Sequence, residues 1–263
     1  MPILVMKFGG TSVETLDKIK SAARRVALEV SAGHSVIVIV SAMAGKTNEL
    51  VDWVNETSPL YDAREYDAIV SSGEHITAGL MALTLQDMDI PARSWQGWQV
   101  PVKTSSAHSS ARIEEIPTEN IMNKFKEGMR VAVVAGFQGI SETERVTTLG
   151  RGGSDTTAVA FAAAFKAIRC DIYTDVDGIY TTDPRITEKA RKLTKISFEE
   201  MLELASLGAK VLQTRSVELA MRFNVKLRVL SSFDEADCNA GTLVCSEEEI
   251  MESNIVSGIA HSR

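Results

Sequence analysis

Met1-Pro2-Ile3-Leu4-Val5-Met6-Lys7-Phe8-Gly9-Gly10-Thr11-Ser12-Val13 is the stretch around which the chain is organised. Ile3 to Met6 is a short apolar β run that delivers Lys7 at its end. Phe8, the Gly9-Gly10 pair and the hydroxyls of Thr11 and Ser12 follow, and then a helical pattern begins. Strand, glycine pair and helix start together make a phosphate cradle. Glycines let backbone N–H groups approach an anion, the helix N-terminus adds the positive end of its dipole, and Lys7 adds a full charge. Taken alone, the same residues also make a plain strand-to-turn link, so the rest of the chain has to decide.

The bulk properties narrow the choice. With 263 residues, 44% of them hydrophobic and 24% charged, the chain has room for one large α/β domain or two small ones. A net charge of −7 disfavours a nucleic-acid surface. No apolar run approaches the ~20 residues of a membrane span. The N-terminus lacks the basic segment and apolar core of an export signal. Cys170, Cys238 and Cys245 are odd in number and lack zinc spacing, which fits a reduced, cytoplasmic chain.

Outward from the first strand, Leu16, Ile19, Ala23, Val26 and Val30 predict a helix over Glu14 to Ala32, with Gly33 as its stop. Ser35 to Val40 is continuously β-branched after its first residue, so it reads as a strand buried on both faces. Strand, helix, strand is the order of a parallel crossover unit. Ser41 to Leu50 then offers hydroxyls and N–H groups past a strand end, where open α/β sheets bind ligands. Its Gly45-Lys46-Thr47 looks like the end of a Walker A loop, but Val40 stands where that motif needs its first glycine, which excludes a P-loop.

Tyr66, Ile69, Gly73, Ile76, Leu80 and Leu83 form one long helical stripe, and Glu74, off its centre, is left with its carboxylate toward solvent. Trp95 and Trp98 lie in a strand region over Asp89 to Val102 and read as packing residues, because basic residues do not surround them. Thr104 to Ser110 reads as a mobile polar loop, a candidate lid. A short helix over Pro117 to Gly128 and a buried strand over Arg130 to Ala135 follow.

Thr147 to Phe165 holds a second glycine-rich helix start, Arg151-Gly152-Gly153-Ser154-Asp155, ahead of a helix that is small and apolar nearly all round. That is a second anion site on a buried helix. It is not a dinucleotide fingerprint, since Asp155 occupies the last glycine position. Asp155 is either a helix cap or, if Ser154 caps, a free carboxylate. A strand at Cys170 to Thr174 leads into the turn-rich Asp175 to Arg185. Helices over Phe198 to Ala205 and Val211 to Phe223, with Lys210 at the entry of the second, precede strands at Lys226 to Leu230 and Gly241 to Val244. About seven strands alternate with helices, and no internal repeat is present.

Three motifs in this order, Lys7-Phe8-Gly9-Gly10-Thr11-Ser12, Leu149 to Asp155 and Thr174 to Tyr180, resemble the amino acid kinase family. Ser71-Ser72-Gly73-Glu74 and Phe198-Glu199-Glu200-Met201 make the resemblance strongest to its aspartokinase branch. The resemblance spans about Pro2 to Val244. It implies a three-layer αβα sandwich around a mostly parallel sheet over residues 1–245, with an aspartate-binding lobe over about 1–166 and an ATP-binding lobe over about 167–245. It also implies phosphorylation of the β-carboxylate of L-aspartate by ATP, with Mg²⁺ arriving on the nucleotide, as the first step toward lysine, threonine and methionine.

By the same resemblance, Lys7 contacts the transferred phosphoryl group beside Gly9 and Gly10, and Asp155 holds Lys7. Glu74 takes the α-ammonium of aspartate and Arg151 a carboxylate. Ser41, Thr47, Gly152, Gly153 and Ser154 line that pocket, while Thr174, Asp175, Tyr180, Arg185 and Lys210 bind ATP. A homodimer is implied, with neither nucleic acid nor membrane as partner. Residues 246–263 resemble a linker and, from Ile255, the first strand of a regulatory ACT domain, so feedback inhibition is expected to be absent. Other members of the family, or a nucleotide-binding fragment of low activity, are the alternatives. Chemically, a carboxylate nucleophile with a pKa of roughly 4 needs no general base, and charge neutralisation and in-line positioning remain as the task.

Overall fold

A computed structural model describes residues 1–208, 211–234 and 241–250. In chain order its elements are β1 (Ile3–Phe8), α1 (Leu16–Ser31), β2 (Ser35–Val40), α2 (Lys46–Thr57), α3 (Ala63–Val70), α4 (Ser72–Asp87), β3 (Ala92–Trp95), β4 (Lys103–Thr104), β5 (Ile113–Glu115) and α5 (Glu119–Lys126). They continue as β6 (Val131–Ala135), β7 (Gln138–Ile140), β8 (Val146–Thr148), α6 (Gly153–Ala164), β9 (Cys170–Thr174), β10 (Lys195–Ser197), α7 (Phe198–Ser206), α8 (Thr214–Phe223), β11 (Leu227–Ser231) and β12 (Thr242–Cys245).

Eight strands form the main sheet in the order β10-β12-β11-β9-β1-β2-β6-β3. All neighbours pair in parallel except β11 and β12. β1 lies inside the sheet, between β2 and β9, which is why all six of its residues are buried. Period-two alternation sorts its side chains. Leu4, Met6 and Phe8 face the core shared with α1 and α4, whereas Ile3 and Val5 face the core shared with α6 and α8. Lys7 therefore points to the α6 side. Helices on both faces of a mostly parallel sheet give the three layers expected from the sequence. A smaller sheet, β5-β4-β7-β8, is built from strands of two or three residues.

Several expectations need correction. The first helix begins at Leu16, because Gly10–Val13 makes a separate 3-10 turn and Thr15 caps Lys18 N–H. The stripe from Tyr66 to Leu83 is not one helix. It breaks at Ser71 into α3 and α4, and Ile69, Ile76 and Leu83 are exposed. The face of α4 against the sheet is instead Gly73, Glu74, Thr77, Ala78, Met81, Ala82 and Leu85, all buried. Trp95 packs on the core, while Trp98 is half exposed. The Thr104 to Ser110 loop is tied down: the carboxylate of buried Asp67 accepts from His108 Nδ1 at 2.7 Å, Ser109 N–H at 3.1 Å and Thr148 Oγ1 at 2.6 Å. The last helix starts at Thr214, since Val211 to Gln213 is not helical. Lys210 and the strand-like run from Ile255 lie outside the described residues.

Candidate active site

The ends of four strands, β1, β2, β6 and β9, converge with the start of α6. β1 ends at Phe8 and passes into Gly9-Gly10, and Gly9 N–H donates to Tyr173 O at the end of β9 (3.3 Å). β2 ends at Val40, and Ser41 N–H returns to Phe8 O at 3.2 Å. β6 ends at Ala135, and a Cβ on Gly136 would lie 3.1 Å from Ser154 Oγ on the first turn of α6. The Cα-only character of the glycines is what permits these approaches. A Cβ on Gly10 would stand 2.9 Å from Ala42 O, and one on Gly153 would stand 2.7 Å from the Phe137 ring.

Lys7 Nζ lies 2.6 Å from Asp155 Oδ1, with both side chains nearly buried. Asp155 is therefore not a cap. Gly152 occupies the N-cap position of α6, in the left-handed region, and no side chain caps the helix. The contact is a close ion pair that takes up one of the three ammonium donors. The ammonium thus keeps donors for a further anion, beside a helix N-terminus whose N–H groups have no side-chain acceptor.

Glu74 overturns its sequence reading most sharply. Its residue is 3% exposed. Oε1 accepts from Ala42 N–H at 3.0 Å, and Oε2 has no partner. Burial pushes the carboxyl up to about 7, against the opposing pull of the Ala42 N–H. Ala42 links the two sites, because its N–H holds Glu74 while its carbonyl packs on Gly10. Ser41 and Thr47 are half-buried on the same loop and first turn of α2. Arg151 is exposed on the turn before α6.

The residues expected to meet ATP fall into two groups. Thr174 and Asp175 sit at the end of β9 next to Gly9, with Thr174 Oγ1 donating to Asp175 at 3.1 Å. Tyr180 and Arg185 are engaged locally. Tyr180 donates to Asp177 at 3.0 Å, and Arg185 pairs with Asp183 at 2.7 Å on the surface. Asp183 first, and Asp175 to a lesser extent, raise the Arg185 pKa, so the guanidinium lies within electrostatic reach of Asp175.

Sequence reasoning missed the supports. Gln138, buried on β7, donates to Ser71 O at 3.0 Å at the α3–α4 break and contacts His75 Nε2 at 2.8 Å through its Oε1. It fixes the helix start that carries Glu74. Asp67 and Arg215 were also missed. No local pattern marks these residues, since their partners lie 41 to 104 positions away.

An αβα sheet with a lysine on an inner strand, paired to a carboxylate on a glycine-led helix, sets two anion-binding elements side by side. The amino acid kinase family model matches residues 2–231, and the chain belongs to that family. Among its members, the chain is 53% identical over its full length to an aspartate kinase of Stutzerimonas stutzeri, of which it covers 63%. The chain thus spans less than two thirds of the length of such curated relatives. The fold superposes on an aspartate kinase from Synechocystis with a TM-score of 0.81 at 47% identity, covering 92% of this chain and 40% of that one. Escherichia coli aspartokinase III in complex with aspartate and ADP gives 0.80 at 31% identity, covering 93% of this chain and 64% of the other.

Proposed function

We propose that the chain transfers the γ-phosphoryl group of ATP to the β-carboxylate of L-aspartate. The observation that carries the reading is Glu74: a buried carboxylate with one oxygen fixed and the other unpartnered is a socket for an ammonium group. An N-acylated amino acid or a nucleoside monophosphate brings no ammonium to fill it. Relatives named aspartate kinase and the aspartokinase III complex with aspartate and ADP support the same choice.

In this reading a β-carboxylate oxygen attacks the γ-phosphorus. The bond to the β–γ bridging oxygen breaks, and ADP departs with the electron pair. No proton needs to move. Lys7, held by Asp155, and the N-terminus of α6 stand where negative charge spreads over the transferred group. Arg151 takes a carboxylate of aspartate, and Ser41, Thr47 and Gly152 to Ser154 complete that pocket. Gly9, Gly10, Thr174, Asp175, Tyr180 and Arg185 bind the nucleotide in this reading, as does Lys210, which lies outside the described residues; apart from the end of β1, the lobe of about 1–166 carries aspartate and that of about 167–245 carries ATP. Mg²⁺ would arrive with the nucleotide and supply charge neutralisation there. A homodimer belongs to the same reading and is checked by sedimentation.

The test is Mg·ATP-dependent acyl phosphate formation trapped with hydroxylamine for L-aspartate, L-glutamate and N-acetyl-L-glutamate, with ADP release followed for UMP, which has no carboxylate to trap. Aspartate alone should turn over. Preferred turnover of an N-acylated substrate, or nucleotide binding with no turnover at all, overturns the reading. Lys7→Ala should lower kcat by at least ~100-fold with ATP affinity kept.

A further inference from the structure

The turn Leu149–Gly152, which carries Arg151, is gripped from outside by the start of α8. Arg215 donates from its two terminal nitrogens to Leu149 O and Ala111 O, both at 3.0 Å. The two carbonyls belong to segments already joined by Ala111 N–H to Thr148 O at 2.9 Å. On the other side of the turn, Gly152 (φ +70°) leaves no room: a Cβ there would lie 2.2 Å from Gln213 Cγ. Gln213 and Arg215 thus hold both ends of the turn.

An arginine usually neutralises an acid. Arg215 is half-buried, and among the described residues it donates to two backbone carbonyls. Burial and the charge of Arg112 both oppose its ionisation. Holding it there costs free energy that two neutral acceptors return through geometry, because the planar fork spans two carbonyls at a fixed separation. α8 packs against α6 and α7, and its Val217 and Ala220 share a core with Leu227 and Ile172 of the strands that end near Thr174. The grip on the turn therefore comes from the part of the chain assigned above to the nucleotide.

We propose that Arg215, assisted by Gln213, is a positioning residue that makes the Arg151 turn answer to the nucleotide side, so that each substrate raises affinity for the other. The inference rests on the aspartate and ATP reading given above. By linkage the effect is reciprocal and of the ordinary size for coupled sites, roughly 5-fold or more.

The experiment measures the dissociation constant of L-aspartate by calorimetry, with and without saturating Mg·AMP-PNP. The parent, Arg215→Lys and Gln213→Ala are compared, with melting temperature recorded for each. Lysine keeps the charge but cannot span two carbonyls. The parent should bind aspartate about 5-fold or more tighter with the analogue present, and both variants should bring that ratio to within ~2-fold of unity. Gln213 is exposed, so its variant folds even if Arg215→Lys does not. A merely structural role lowers the melting temperature and leaves the ratio intact, and that result, or a parent ratio of one, overturns the proposal. A parent that binds no aspartate at all overturns the substrate reading itself, and the coupling with it.

Discussion

Burial raises the Glu74 carboxyl from 4.5 to about 7. The sign of its effect on stability follows. Between those two values the folded chain binds more protons than the unfolded one, so stability falls as pH rises through the window. Above pH 7 the full cost remains, on the order of 3 kcal/mol for a shift of this size. Glu74→Gln should therefore raise the urea midpoint at pH 8 and leave it unchanged at pH 4. An equal gain at both pH values would mean that the free carboxyl is not held up by burial. The same titration gates the ligand: an ammonium pairs with the carboxylate, so kcat/KM for aspartate should drop below about pH 7. The Gln variant should not saturate with aspartate at any pH. Lys7 and Asp155 were legible from their motifs because strand end and helix start are local features. Glu74 was legible only through family resemblance, since hydrophobic periodicity assigned its carboxylate to solvent.

At the scale of the element, α4 explains that error. The large residues Ile76, Leu80 and Leu83 recur at helical spacing, yet Ile76 and Leu83 face outward. The inward face begins with Gly73 and continues through Thr77, Ala78 and Ala82. Small residues let the helix approach the Ala42 loop closely enough for Glu74 to reach a backbone N–H, so function selected a face that a size-weighted reading rejects. A helix apolar on nearly all sides carries little phase information. Gly73 is the tight glycine of α4, because a Cβ there would lie 2.7 Å from Ala42 Cβ, an atom fixed to the backbone that cannot move aside cheaply. Gly73→Ala should destabilise the fold by about 1–3 kcal/mol, the scale of overpacking. It should also raise the aspartate KM more than the ATP KM, since the displaced helix start carries Glu74 and not the nucleotide residues. Equal change in both constants would detach α4 from aspartate recognition.

Across the whole molecule, the parallel sheet was legible because its strands are short apolar runs rich in β-branched residues and buried on both faces, as in β2 and β6. The second sheet was not, because strands of two or three residues carry no periodicity. The proposed division into an aspartate side and a nucleotide side has a mechanical limit, set by β1, which pairs with β2 on one flank and β9 on the other. A buried charge network crosses the same boundary. Asp171 of β9 takes Arg169 at 3.0 Å and Arg228 of β11 at 2.6 Å, and Arg169 also reaches Glu29 of α1 at 2.6 Å. Two sides that share a central strand and a charge network should unfold together. The three tryptophans, Trp53, Trp95 and Trp98, all lie on the aspartate side, so fluorescence reports that side alone while far-UV circular dichroism reports every helix. The two urea transitions should coincide, and both should move together when Asp171→Ala removes the buried carboxylate that Arg169 and Arg228 share, at a cost of about 3–5 kcal/mol. A fluorescence transition that stays in place while the dichroism shifts would show that the sheet does not bind the two sides into one cooperative body. The coupling assigned to Arg215 would then have to run through the α8 contact alone.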